Sequence, residues 1–233
     1  MKPVASDKAK PNVFVELLIT LIIPSMILMK LSGPENLGVV YALLLALAFP
    51  LFWGARDLVT RRKFNFFAAL GLVSISLTGG IGLLHLDTQW LAVKEAAVPG
   101  VIGLGVIISA YTRYPLVKVL LFSPMIMNVE KIQASLSQRG NTAAFEARLK
   151  HATWMLGGTF FFSSTMNYFL AIWLVTSPTG TAAFNEELGR MTLLSYPVIA
   201  LPSTIMMMAV LFYLTRAIRQ LAGLSFMEAL KEQ

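Results

Sequence analysis

Met191 to Thr215 reads MTLLSYPVIALPSTIMMMAVLFYLT, a stretch without one Asp, Glu, Lys or Arg. A helix needs about 20 mostly apolar residues to cross the hydrocarbon core of a bilayer, and this stretch supplies them. Five others read the same way, so spans are expected at about 12–30, 37–54, 64–84, 95–112, 152–175 and 191–215. Lipid offers no partner to a backbone N–H or C=O, which leaves helices and closed barrels as the only spanning structures. Barrel strands alternate apolar and polar over about ten residues. These runs are longer and apolar on every face. The expected fold is therefore all-α, a single polytopic membrane domain over 1–233 with six transmembrane helices.

Charge orients the bundle. Of the nineteen Lys and Arg residues, only Lys30, Lys94 and Arg190 fall in the segments on one side. The crowded side is cytoplasmic by the positive-inside rule. Both termini then lie inside, and the spans form three hairpins with short outer loops at 31–36, 85–94 and 176–190. The composition agrees: 56% of residues are hydrophobic and 13% charged, whereas soluble domains carry about a quarter charged. The net charge of +7 sits at the ends of apolar runs, which points to anionic lipid of the inner leaflet rather than nucleic acid. The lack of cysteine excludes disulfides, thiolate metal sites and Cys nucleophiles. Lys30 and further polar residues follow the first run where a cleavage site would have small ones, so that run reads as a retained helix rather than a signal peptide.

The longest segment between spans is the cytoplasmic stretch 113–151. Val117 to Met127 is apolar, too short to cross and carries Lys118, which suits an interfacial amphipathic helix, with a re-entrant segment as the other option. Val129 to Leu136 and Thr142 to Ala152 look like amphipathic helices separated by Gly140-Asn141. Leu224 to Gln233 reads as a short amphipathic tail helix. Arg113, Lys118, Lys131, Arg139, Arg148 and Lys150 make this inner surface basic, a contact for anionic lipid or for a protein partner.

Reactive chemistry is sparse. No carboxylate pair lies within the spans and no Gly-x-Ser-x-Gly elbow appears. His85 and His151 belong to opposite membrane faces and cannot share a metal; His85 near Asp87 reads as an ordinary loop pair. No catalytic residue, metal site or cofactor is expected. Glu16, Lys94 and Glu95 lie near span ends, where snorkelling or ion pairing is their usual use. The groups at depth are neutral, among them Ser74, Ser76, Thr78, Ser163, Ser164, Thr165, Asn167 and Ser203. Hydrogen bonds between helices are their commonest role. The candidate functional polar core is Lys94, Glu95, Asn167, Ser76, Thr78 and Ser203. Small-xxx-small spacings at Ser76/Gly80, Ala96/Gly100 and Gly105/Ser109 predict a tightly packed second hairpin. Pro24, Pro50, Pro99, Pro197 and Pro202 lie inside spans, where each removes a backbone donor and can kink its helix.

Three stretches carry a family likeness. One is Gly79-Gly80-Ile81-Gly82-Leu83-Leu84-His85, with Trp90 in the loop and Lys94 at the next span. Another is Tyr111 to Leu116, with Pro115-Leu116 after a basic residue. The last is Asn167 followed by Ala171-Ile172-Trp173-Leu174. Over roughly 35–215 the chain resembles the bacterial intracellular septation protein A family and related six-span inner-membrane proteins of unknown function. The resemblance implies a multi-pass protein of the bacterial inner membrane linked to cell-envelope upkeep and division, with division or envelope-synthesis proteins as partners and no enzyme activity. The sequence leaves the oligomeric state open, a homo-oligomer included. The other reading is a transporter or flippase for a neutral or lipid-like substrate. A polar cavity on which Asn167, Ser76, Thr78 and Ser203 converge would favour transport. Pairing of those groups among helices would favour a role through contacts.

Overall fold

The apolar runs do form helices. A computed structural model describes residues 17–61, 66–112, 115–120 and 127–230, and no strand occurs among them, only an isolated antiparallel bridge between Met127 and Leu230. In chain order the helices are α1 (Leu18–Leu31), α2 (Gly38–Arg61), α3 (Phe66–Leu83), α4 (Gln89–Ser109), α5 (Leu116–Leu120), α6 (Val129–Gln138), α7 (Thr142–Leu174), α8 (Ala182–Leu221) and α9 (Phe226–Ala229). Two of them, α4 and α8, are long and apolar enough to cross a membrane; Leu18–Leu31, Gly38–Phe52 and Val73–Leu83 are apolar but shorter. Residues 12–16 of the expected first span, and Glu16 with them, lie outside the described residues.

Several boundaries differ from the sequence reading because polar residues cap helices rather than ending them. α4 starts at Gln89, inside the expected loop 85–94, because the Asp87 carboxylate accepts the Gln89 N–H at 2.8 Å; an acidic N-cap satisfies donors that the first turn leaves open. Likewise α8 starts at Ala182, inside the expected loop 176–190. Thr181 Oγ1 accepts the Phe184 N–H at 3.1 Å. The stretch 142–152 and the expected span 152–175 are one unbroken helix, α7, of 33 residues, about 50 Å long at 1.5 Å per residue. In the expected interfacial segment 117–127, only Leu116–Leu120 is helical among the described residues. Val117 and Met127 at its two ends are buried in protein core, not presented to lipid. The tail helix is the single turn Phe226–Ala229. Ser225 and Glu228 form its capping box: Glu228 Oε2 accepts the Ser225 N–H at 2.8 Å and Ser225 Oγ accepts the Glu228 N–H at 3.3 Å.

Contacts gather into two compact units, Met1–Lys94 with Leu170–Ser195, and Glu95–Phe169 with Tyr196–Gln233. In the first unit α1 packs most heavily on the start of α8 and on α2, and α2 packs on α3. Close approach depends on missing side chains. A Cβ on Gly79 or Gly82 of α3 would stand 2.7 Å from Leu47 or Leu43 of α2, whereas one on Gly80 would meet nothing. Gly79 and Gly82 therefore admit the neighbouring α2, and Gly80 of the expected Ser76/Gly80 pair admits no neighbour.

The second unit is built on helical stripes. Phe145, Leu149, Ala152 and Leu156 of α7 face Val210, Leu214, Ala217 and Ile218 of α8, and Ile132 and Leu136 of α6 close the core. Spacing of three and four residues puts each set on one helix face. α6 also terminates α8. Ser135 Oγ donates to the Ala222 carbonyl at 2.6 Å and Asn141 Nδ2 to the Leu221 carbonyl at 2.9 Å. These are acceptors that a helix C-terminus otherwise leaves unpaired. The Asn128 N–H donates to the Ala229 carbonyl at 2.9 Å, fastening the tail.

Candidate functional site

Lys94 is the best-defined polar feature within the apolar helices. It lies on the second turn of α4, 9% exposed. Its Nζ donates to Thr78 Oγ1 at 2.7 Å and approaches Ser74 Oγ at 3.4 Å. Ser74 and Thr78 are four residues apart and share one face of α3. Thr78 Oγ1 also donates to the Ser74 carbonyl at 3.1 Å, which leaves its lone pairs free to accept from the ammonium. The result is a cationic head seated on two hydroxyls.

The other expected core residues are placed as follows. Ser76 lies two residues from Thr78, about 200° round the helix, and is exposed. Glu95 is half-buried and Asn167 part-buried in the second unit. The Asn167 amide turns back on its own helix, donating to the Ser163 carbonyl at 2.8 Å and to Ser163 Oγ at 3.3 Å. Ser164 makes the inter-helix bond instead, its hydroxyl donating to the Ala96 carbonyl of α4 at 2.7 Å beside Gly100. Gly103 of α4 and Gly157 of α7 deepen the same crossing. The Ser203 hydroxyl oxygen is buried with no hydrogen-bond partner among the described residues, and nothing in its surroundings accounts for that.

Asn185 was missed because the sequence reading placed it in a loop. It is fully buried on α8, and its amide donates to Ser32 Oγ at 3.0 Å and to the Val39 carbonyl at 2.9 Å. Thr181, a helix-capping residue three positions before Phe184, was the available signal. Around it two loops interlock. His85 takes a positive φ of 53°, and its Nδ1 lies 3.3 Å from the Thr179 carbonyl. Thr179 Oγ1 donates to the Leu86 carbonyl at 2.7 Å. Gly180, at φ 78°, has no room for a Cβ against the His85 ring. Asp87 is occupied as a helix cap, so the expected His85–Asp87 loop pair gives way to contacts across the two loops.

Glu187 fastens the second of these loops. It precedes the uncharged stretch 191–215 and accepts the Thr176 and Ser177 N–H groups at 2.9 and 2.8 Å, with the Ser177 hydroxyl at 2.8 Å. Burial pushes its carboxyl up; the bonds from Ser177 and Thr176 outweigh burial and hold it below the usual carboxylate value. A carboxyl depressed in the folded state stabilises the fold above its unfolded pKa and loses that contribution as pH falls through the folded value. Glu187→Gln should therefore lower the melting temperature of the detergent-solubilised protein at pH 7. The gap to wild type should begin to narrow as pH falls to about 4, where the unfolded carboxyl protonates, and close only below the lower folded value. A gap that stays constant from pH 7 to pH 3 would refute this role.

The basic residues are sorted by their neighbours. Arg113 lies outside the described residues. Lys118 meets Glu146 at 3.4 Å. Lys131 lies near Glu228, whose carboxyl is held low first by the Ser225 hydroxyl and then by the Ser225 N–H, with Lys131 adding to the effect. The Arg139 guanidinium lies against Gly223. Arg148 donates to Tyr213 Oη at 3.2 Å. Lys150 Nζ sits 4.3 Å above the Tyr111 ring. No protein-family model, curated protein or solved structure matches the chain.

Proposed function

We propose that the chain is a six-span integral protein of the bacterial inner membrane, both termini in the cytoplasm, acting without catalysis through contacts with lipids and with envelope-synthesis or division proteins. The observation that carries this reading is how the hydroxyl and amide groups of the apolar helices are used. Thr78, Thr153, Thr159, Asn167, Thr192, Ser195 and Thr204 each donate to the carbonyl one turn back, and Ser164 ties α7 to α4. Groups bonded to their own helix in this way are engaged locally, and the Ser164 bond joins two helices; both uses favour a role through contacts over a polar path. The lopsided distribution of Lys and Arg supports the orientation, and the resemblance to the septation protein A family favours an envelope role.

A transporter or flippase is the second reading. It draws on two π-helical turns, Leu18–Ile22 and Tyr196–Ala200, each at a proline: Pro24 after the first, Pro197 within the second and Pro202 beyond it. Such turns are frequent at functional sites. Purified protein reconstituted in vesicles should move fluorescent phospholipid between leaflets no faster than protein-free vesicles. Rapid lipid scrambling that Pro202→Ala abolishes would replace the first reading by the second. Reporter fusions at residues 60 and 130 should report the cytoplasm, and external activity at either position would overturn the topology.

A further inference from the structure

Arg148 stands over the Tyr213 ring at 5.7 Å and bonds its hydroxyl, whereas Lys150 lies closer to its ring, 4.3 Å over Tyr111. No carboxylate among the described residues pairs with Lys150. Its ammonium rests on the Tyr111 ring, and Tyr111 meets Trp154 edge-on at 6.1 Å between centroids. Lys150 and Trp154 are one turn apart on α7, and Tyr111 lies two residues past the end of α4. Both rings remain exposed, Tyr111 at 65% and Trp154 at 44%. Tyr and Trp concentrate at headgroup depth, where one end of the ring is apolar and the other wet.

The apolar continuation of this cluster suggests what it binds. Ile108, Leu104 and Val101 lie three, seven and ten residues before Tyr111. That spacing places all four on one face of α4 and its C-terminal turn, and all four are exposed. An uncovered aliphatic stripe therefore leads from the cation–aromatic pair along a helix of membrane length. The ring covers one side of the ammonium and leaves its remaining N–H donors for an anionic oxygen.

We propose that Lys150, Tyr111 and Trp154 form a binding site for the headgroup phosphate of an anionic phospholipid, one acyl chain lying along Ile108, Leu104 and Val101. The inference rests on the membrane reading above and adds the ligand class and the residues. A free phosphate offers the same oxygen chemistry to Lys150 but has nothing for the aliphatic stripe, so the lipid is the source favoured here.

The test is lipid retention by the full-length protein, read by native mass spectrometry after purification from mixed phosphatidylglycerol and phosphatidylcholine. Wild type should retain phosphatidylglycerol preferentially. Lys150→Gln should cut that preference about fivefold, the scale of one cation near an anionic surface. Tyr111→Leu, which keeps every charge, should cut it less. Arg219→Gln removes an equivalent exposed charge from α8 and should leave it unchanged, with thermal melts confirming that all variants are folded. Equal losses in Lys150→Gln and Arg219→Gln would reduce the site to diffuse attraction and overturn the proposal. So would displacement of phosphatidylglycerol by millimolar inorganic phosphate, which would assign the pocket to a free anion. Equal retention of both lipids by wild type would sink the site while leaving the topology standing. Labelling of a Lys150→Cys variant by an impermeant thiol reagent added outside would sink the topology itself.

Discussion

Ile132→Ala should destabilise the protein by about 2–5 kcal/mol, the usual cost of removing a large aliphatic side chain from a packed interior. Ile132 is fully buried and shares its core with Leu136, Leu149, Leu214 and Ile218. The amphipathic pattern of α6 is equally compatible with a helix lying on a membrane surface, and the two arrangements respond differently. A surface helix would lose some membrane affinity while the rest of the chain kept its melting temperature. In the structure, α6 brings Ser135 and Asn141 to the end of α8. Loosening it strips the Leu221 and Ala222 carbonyls of these partners, and a carbonyl left buried without one costs about 1–3 kcal/mol. The checks are a thermal melt in detergent and the rate of tryptic cleavage at Lys131 and Arg139. An unchanged melt together with unchanged cleavage would show that the Ile132 side chain is not enclosed by protein.

Gly189→Val should disrupt the pairing of α1 with α8. A Cβ at position 189 would stand 2.8 Å from the Ser25 carbonyl oxygen, 2.9 Å from Met29 Cγ and 3.2 Å from Leu28 Cβ. The first of these is backbone, so it cannot swing aside as a side-chain end can. Overpacking of this kind costs about 1–3 kcal/mol, and the branched valine brings further atoms to the same wall. Separating the helices would also strain the nearby Asn185 bonds to Ser32 and Val39. Gly80→Ala is the matched control, since a methyl there meets nothing within 4 Å; it should be neutral or slightly stabilising through lower unfolded-state entropy. Detergent melting of the two variants side by side decides it. Gly189→Val melting with wild type would mean that α1 and α8 are not in contact at Ser25.

The helical class was legible because the apolar runs are long and uninterrupted, and lipid or protein core alike must satisfy every backbone group internally. Boundaries were less legible. Asp87 and Thr181 look like loop residues, yet each accepts an N–H that begins a helix, and capping depends on where a side-chain oxygen sits rather than on hydropathy. Lys94 was identified as a functional candidate from its charge near an apolar run. Its hydroxyl partners required knowing that Ser74 and Thr78 face α4 while Ser76 faces away. The expectation for Asn167 was an inter-helix clamp. Ser164 took that role because a short hydroxyl beside Gly100 reaches the Ala96 carbonyl across the crossing, whereas the longer amide closes on its own helix.

From the chain alone came the all-helical class and the lopsided placement of Lys and Arg, because hydrophobic length and local charge are properties of consecutive residues. Which glycines admit a neighbour, which hydroxyls receive Lys94, and which basic residues rest on aromatic rings were settled by the tertiary structure. Those are contacts between segments far apart in sequence, and a rotation of one helix by a single residue, about 100°, would exchange every one of them.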